Sequence, residues 1–83
     1  MTVRYFAAAR AAAGTESEIV NVRPGVTVAE VVQSLAKRKP QLSTVLGRCS
    51  YLCDGIAVSF EAATVRPVGF DQTIDVLPPF AGG

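Results

Sequence analysis

Two glycines, Gly82 and Gly83, close the sequence after an apolar, proline-rich run, Val76-Leu77-Pro78-Pro79-Phe80-Ala81. Read as a true terminus, this ending offers one reactive group, the carboxylate of Gly83. Glycine has no Cβ, so a Gly-Gly end can thread backbone-first into a slot too narrow for other residues. Pro78 and Pro79 fix φ and resist both helix and sheet, which keeps the segment extended. Leu77 to Gly83 spans roughly 23 Å at full extension, enough to carry the carboxylate deep into another protein's active site. A free α-carboxyl titrates at about 3.5 and is ionised near neutrality, so it is a poor electrophile. Converting one oxygen to an acyl phosphate ester, such as an adenylate, supplies the missing leaving group. A frayed end with small residues by chance is the plainer alternative. The Leu-Pro-Pro-Phe lead-in argues against it.

The other side chains offer little chemistry of their own. There is no histidine, which removes Cys/His metal sites and a Cys-His nucleophile pair. Cys49 and Cys53 on one strand would share a face about 13 Å apart, too far for a disulfide, and read as small buried hydrophobes. Glu16, Glu18, Glu30, Glu61, Asp54, Asp71 and Asp75 are scattered, with no spacing that forces an acid–base pair, and read as solvated surface. With eight basic and seven acidic residues there is no basic stripe, so nucleic-acid binding has no support. Lys37-Arg38-Lys39 ends a predicted helix, where cations suit the dipole. The start lacks a signal-peptide pattern and no run approaches the roughly 18 apolar residues of a membrane span, so the expected location is the cytoplasm.

Positioning such a tail requires a folded body. A chain of 83 residues, 49% apolar and 18% charged, has room for one domain with one modest core. Residues 1–83 are therefore read as a single unit, with 77–83 as its extended tail. Thr2 to Phe6 reads as a strand, and the alanine-rich run from Ala7 to Ala13 as a helix stopped by Gly14. Glu16 to Val22 reads as a second strand, with Glu18, Val20 and Val22 on one face. Pro24-Gly25 suits a type II turn. Thr27 and Glu30 form a capping box, with Val26 and Val31 at staple positions. Val28, Val31, Val32, Leu35 and Ala36 then trace one helical face, and Pro40 opposes continuation. Gln41 to Leu46 reads as a helical turn. Arg48 to Cys53 and Ile56 to Ser59 read as a hairpin turned at Asp54-Gly55. Phe60 to Asp71 reads as irregular. Thr73 to Leu77 alternates as a last strand, with Ile74 and Val76 on one face. The sum is a two-layer α+β design: one main helix packed on one face of a mixed sheet of four to five strands.

The chain resembles the MoaD/ThiS family of small sulfur carriers. The resemblance rests on Val3-Arg4-Tyr5-Phe6-Ala7 leading to Arg10 and Gly14, the Val28-to-Leu35 helix face, the Asp54-Gly55 hairpin and the ending from Asp71 to Gly83. The double proline makes the ending most similar to small subunits of molybdopterin synthase; thiamine-pathway carriers usually lack it. One departure is Gly69-Phe70-Asp71-Gln72, where the family commonly has an acidic residue after a Gly-Asp turn. The resemblance implies a ubiquitin-like β-grasp, with the first and last strands as central neighbours. It implies that an E1-like (MoeB-like) enzyme adenylates Gly83 with ATP. A sulfur-donor enzyme then leaves a thiocarboxylate there. The tail enters a MoaE-like large subunit, where the sulfur attacks a pyranopterin precursor. On this reading Pro78, Pro79, Phe80, Ala81 and Gly82 are the inserted tail, and the chain catalyses nothing alone and holds no cofactor or metal. Leu77, Phe60 and Phe70 are interface candidates, the two phenylalanines also fitting core positions. Carriage of sulfur for thiamine or cysteine synthesis, ubiquitin-like modification of lysines through Gly83, and a plain interaction domain stay open as alternatives.

Overall fold

Val3 and Tyr5 alternate with Thr2 and Arg4, and the alternation makes strand β1 (Thr2–Tyr5). The computed structural model describes residues 1–69 and 71–79, with Phe60 described by its backbone alone. Helix α1 (Ala7–Ala13) follows directly and ends at Gly14, which adopts the left-handed conformation. Strand β2 (Ser17–Ile19) then runs back antiparallel to β1, pairing Glu18 with Val3. It is shorter than the Glu16–Val22 strand expected, but the expected face holds: Glu18, Val20 and Val22 turn inward and Ile19 is exposed, with Val20 and Val22 beyond the strand's end. The Pro24-Gly25 turn closes through Val26 N–H to the Arg23 carbonyl at 3.2 Å, with Gly25 at φ +82°, as a type II turn requires.

Helix α2 (Val28–Arg38) starts where the capping box placed it. The Thr27 hydroxyl accepts from Glu30 N–H, and Glu30 Oε1 accepts from Thr27 N–H, each at 3.2 Å. Val28, Val31 and Leu35 are buried against the sheet, and each such side chain contributes about 1.5–3 kcal/mol. Pro40 ends this helix and opens the next, α3 (Pro40–Leu46), because the N–H it lacks has no partner in a first turn anyway.

Strands β3 (Ser50–Cys53) and β4 (Ile56–Ala57) form the expected hairpin, each two residues shorter than the Arg48–Cys53 and Ile56–Ser59 strands expected. Asp54 (φ +50°) and Gly55 (φ +82°) both take positive φ, the signature of a type I′ turn. The segment expected to be irregular contains helix α4 (Phe60–Val65). The Ser59 hydroxyl accepts from Ala62 N–H at 3.1 Å and Glu61 sits in the first turn. Strand β5 (Thr73–Leu77) completes one five-stranded sheet in the order β2-β1-β5-β3-β4.

Strand β5 runs parallel to β1 and antiparallel to β3, so the last strand occupies the middle of the sheet. Val3, Tyr5, Ile74, Val76 and Cys53 face the helices and are essentially fully buried with Val28, Leu35 and Leu42. The alternate residues face away from the helices, onto an open sheet surface. Both cysteines are free: Cys53 is in the core, as expected, but Cys49 precedes β3 and is half-buried.

Candidate functional site: the end of the central strand

The alternation of Thr73-Ile74-Asp75-Val76-Leu77 fixes how the tail leaves the body. Ile74 and Val76 anchor β5 to the core, opposite Val3 and Tyr5 on one side and Cys53 and Tyr51 on the other. Leu77, half-buried, pairs with Ser50, and Phe6 N–H donates to the Val76 carbonyl at 3.0 Å. The chain therefore exits between the end of β1 and the start of β3. Pro78 and Pro79 come next, exposed and outside the strand. Neither proline can donate to a sheet ladder, so pairing stops at Leu77. The start of β5 is pinned as firmly: Asp54 accepts from Thr73 N–H at 2.9 Å and from Gln72 Nε2 at 3.2 Å. Phe80, Ala81, Gly82, Gly83 and Phe70 lie outside the described residues, as does the side chain of Phe60.

Two carboxylates depart from the expectation that all seven are solvated surface. Asp75 points to the open face, yet its side chain is only 8% exposed. Arg4, its partner in the parallel register, covers it: Nε donates to Oδ1 at 2.6 Å and Nη2 to Oδ2 at 2.7 Å. This two-bond fork joins the two central strands, and Arg4 also lies 5.8 Å from the centre of the Phe6 ring. The bonds to Asp75 raise the guanidinium pKa further. Glu18 is the second case. Its inward position on β2 brings it to Tyr5 Oη (3.0 Å), Arg38 Nη2 (2.9 Å) and Lys39 Nζ (2.8 Å), all three donating to it. Burial pushes Glu18 up, but the bonds from Lys39 and Tyr5 outweigh that and its pKa is lowered. Tyr5 moves upward, first through burial and then through its bond to Glu18. The cations at the end of α2 thus have a specific partner besides the helix dipole.

In both clusters the carboxylate is held by cations of this chain, Asp75 by Arg4 and Glu18 by Arg38 and Lys39. An apolar cavity of about 440 Å³ lies on the helix side, lined in part by Val32, Ala36, Leu46, Tyr51 and Val58. Its ionisable lining groups among the described residues are the Cys49 thiol and the Tyr51 phenol. Burial pushes both upward and both donate to carbonyls, of Val45 and Leu46, with no base beside them. Among the described residues no three of His, Cys, Asp and Glu gather as metal ligands, and no helix is long and apolar enough to cross a membrane.

The body thus delivers a strand end, held by the pairing of Leu77 with Ser50 and by the bond from Phe6 N–H to Val76. The ThiS family model matches residues 3–83, from the first strand through the final glycine. The chain belongs to the ThiS family. Its fold is the ubiquitin-like β-grasp expected of the ThiS/MoaD group. The solution structure of the Haloferax volcanii HVO 2177 protein superposes with a TM-score of 0.83 at 27% identity, covering 99% of this chain and 84% of that one. The solution structure of small archaeal modifier protein 1 from Methanosarcina acetivorans gives 0.80 at 27% identity, covering 99% and 94%. Subunit 1 in the complex of subunits 1 and 2 of the molybdopterin-converting factor from Helicobacter pylori gives 0.68 at 21% identity, covering 99% and 96%, and shows the shared fold. Comparison with curated proteins gave no match. Coarsely, this is a small carrier or modifier of the ThiS/MoaD type, a class that acts in complexes rather than catalysing alone.

Sequence reasoning missed Arg4 and Phe6 as features of the exit. Phe6 was placed inside the first strand. It is instead the cap of α1, 38% exposed beside the end of β5. The one sequence signal available was the matched position of Arg4 and Asp75 on the outward faces of two strands expected to be neighbours.

Proposed function

We propose that this chain carries sulfur for molybdenum-cofactor synthesis, as the small subunit of a molybdopterin synthase. The observation that carries the reading is the Leu77-Pro78-Pro79 exit from the centre of a β-grasp sheet, leading in sequence to Gly82-Gly83. In the first step the Gly83 carboxylate attacks the α-phosphorus of ATP on an E1-like adenylating enzyme, and pyrophosphate leaves. Sulfur delivered at the sulfide level by a donor enzyme then attacks the acyl carbon, and AMP leaves. The product thiocarboxylate is a better nucleophile than the carboxylate it replaces. With the tail inside a MoaE-like large subunit, the sulfur attacks the pyranopterin precursor, and hydrolysis of the acyl link restores the carboxylate. The chain itself supplies reach and a reagent in the cytoplasm, while acids, bases and ATP belong to its partners.

The deciding experiment is intact mass after incubation with ATP, the adenylating enzyme and a sulfur source. The expected increase is that of one oxygen replaced by sulfur, and it should vanish without ATP or when Gly83 is deleted. The deletion should still melt like the parent, because a glycine has no side chain to bury. An unchanged mass with all components present would reject the carrier reading. Phe80 follows two prolines and is assigned to the partner: Phe80→Ala should weaken the complex with the large subunit by at least about 1 kcal/mol, read by titration calorimetry.

A second reading has its own support, the 27% identity to an archaeal modifier protein over nearly the whole chain. If Gly83 instead forms isopeptide bonds, peptides carrying it on lysine should be recoverable from cells. Pterin-precursor conversion would then be absent.

A further inference from the structure

The open face of the sheet carries one feature that stability alone does not require. Among the described strand residues pointing that way, Arg4 and Asp75 are the ionisable ones. They are stacked rather than side by side, with the arginine side chain 53% exposed and the aspartate 8%. Solvent therefore meets a guanidinium, the one well-exposed ionisable group among the described strand residues of this face. Around it lie apolar groups: Leu52 and Leu77 half-buried, Phe6 under the guanidinium, and Ile19 73% exposed. Asp75 occupies Nε–H and one Nη2–H, so three of the five N–H groups are not committed to it. The two-bond fork also holds the cation still, so little rotamer freedom remains to be lost on binding.

Any enzyme that admits the tail must cover ground next to the end of β5, and this face is continuous with that end. Once covered, the ion pair loses water and the remaining N–H groups need acceptors. A planar guanidinium edge fits a carboxylate best. Resting on the carrier reading above, we propose that Arg4 is the partner-selecting contact of this chain, receiving an Asp or Glu carboxylate set among apolar residues on the enzyme that takes the tail. The second carboxylate sits on the Nη1/Nη2 end of the guanidinium, adjacent to the Nε/Nη2 edge that Asp75 holds.

The test uses the full chain with the MoaE-like large subunit and the E1-like enzyme encoded in the same genome, at low and high salt. Parent, Arg4→Lys and the double variant Arg4→Met with Asp75→Leu are compared. The double variant replaces a shielded ion pair by apolar groups of similar size, a change that proteins often tolerate without loss of stability. With an unchanged melting curve, it should bind at least one of the two enzymes about tenfold or more weaker, with a flatter salt dependence. If it does not fold, Arg4→Lys decides: it keeps the charge and loses the fork, and should bind several-fold weaker while retaining salt dependence. Equal or tighter binding to both enzymes by the folded variant overturns the assignment and leaves an apolar face as the contact. Failure of the parent to bind either enzyme overturns this inference, whereas the mass measurement above judges the carrier chemistry separately.

Discussion

At Glu18 a single carboxylate gathers a phenol from β1 and a guanidinium and an ammonium from the end of α2. Its pKa is lowered by folding, so it stabilises the native state above its unfolded value and that contribution is lost as pH falls through the folded one. The melting temperature should therefore drop as pH falls from about 5 to below about 4, and Glu18→Gln should make that slope shallower. Thermal melts across this range read it directly, and an identical slope in the variant would mean other carboxylates govern acid unfolding. Asp75 and Glu18 were read from sequence as surface groups. Nothing within a few residues marks either as paired, since their partners lie 71 positions away at Arg4 and 20 and 21 positions away at Arg38 and Lys39. Spacing along the chain reports local neighbours, and these contacts come only from the topology.

The elements divide by how much of their cause is local. Helix α2 was readable end to end because its start, face and stop each leave a residue signature: Thr27 with Glu30, the Val28–Leu35 face, and Pro40. Thr27→Ala should cost about 1 kcal/mol of stability, measured by denaturant unfolding, because Glu30 N–H loses its acceptor. The Asp54-Gly55 hairpin and the last strand were equally plain. Helix α4 was not, because Phe-Glu-Ala-Ala-Thr-Val is too short to show a period and its Ser59 cap is a common loop residue. Strand β2 was drawn too long because Val20 and Val22 continue the alternation after the ladder to β1 has ended at Ile19. The tail's departure point was legible from Pro78. The surface it departs from was not, since Phe6 and Arg4 gain meaning only beside β5.

For the molecule as a whole, the core is organised around β1 and β5, each with paired neighbours on both sides. The two edge strands are short, three residues in β2 and two in β4. Amide hydrogen exchange should follow that order: β1 and β5 slowest, at the rate of global unfolding, and β4 and α4 among the first to exchange. Early exchange in β5 would show that the strand from which the tail departs opens on its own, despite its pairing to β1 and β3.

Because β5 follows the other four strands in the sequence and yet sits between β1 and β3, the middle of the sheet stays vacant until β5 has been synthesised. The preceding elements can collapse early, but the gap closes only when the final strand is free to slide in. Until then the Leu77-Pro78-Pro79 exit has no fixed place on the body. On the proposed carrier function, an enzyme that grips the sheet beside that exit would discriminate folded molecules from unfolded ones without any separate inspection step.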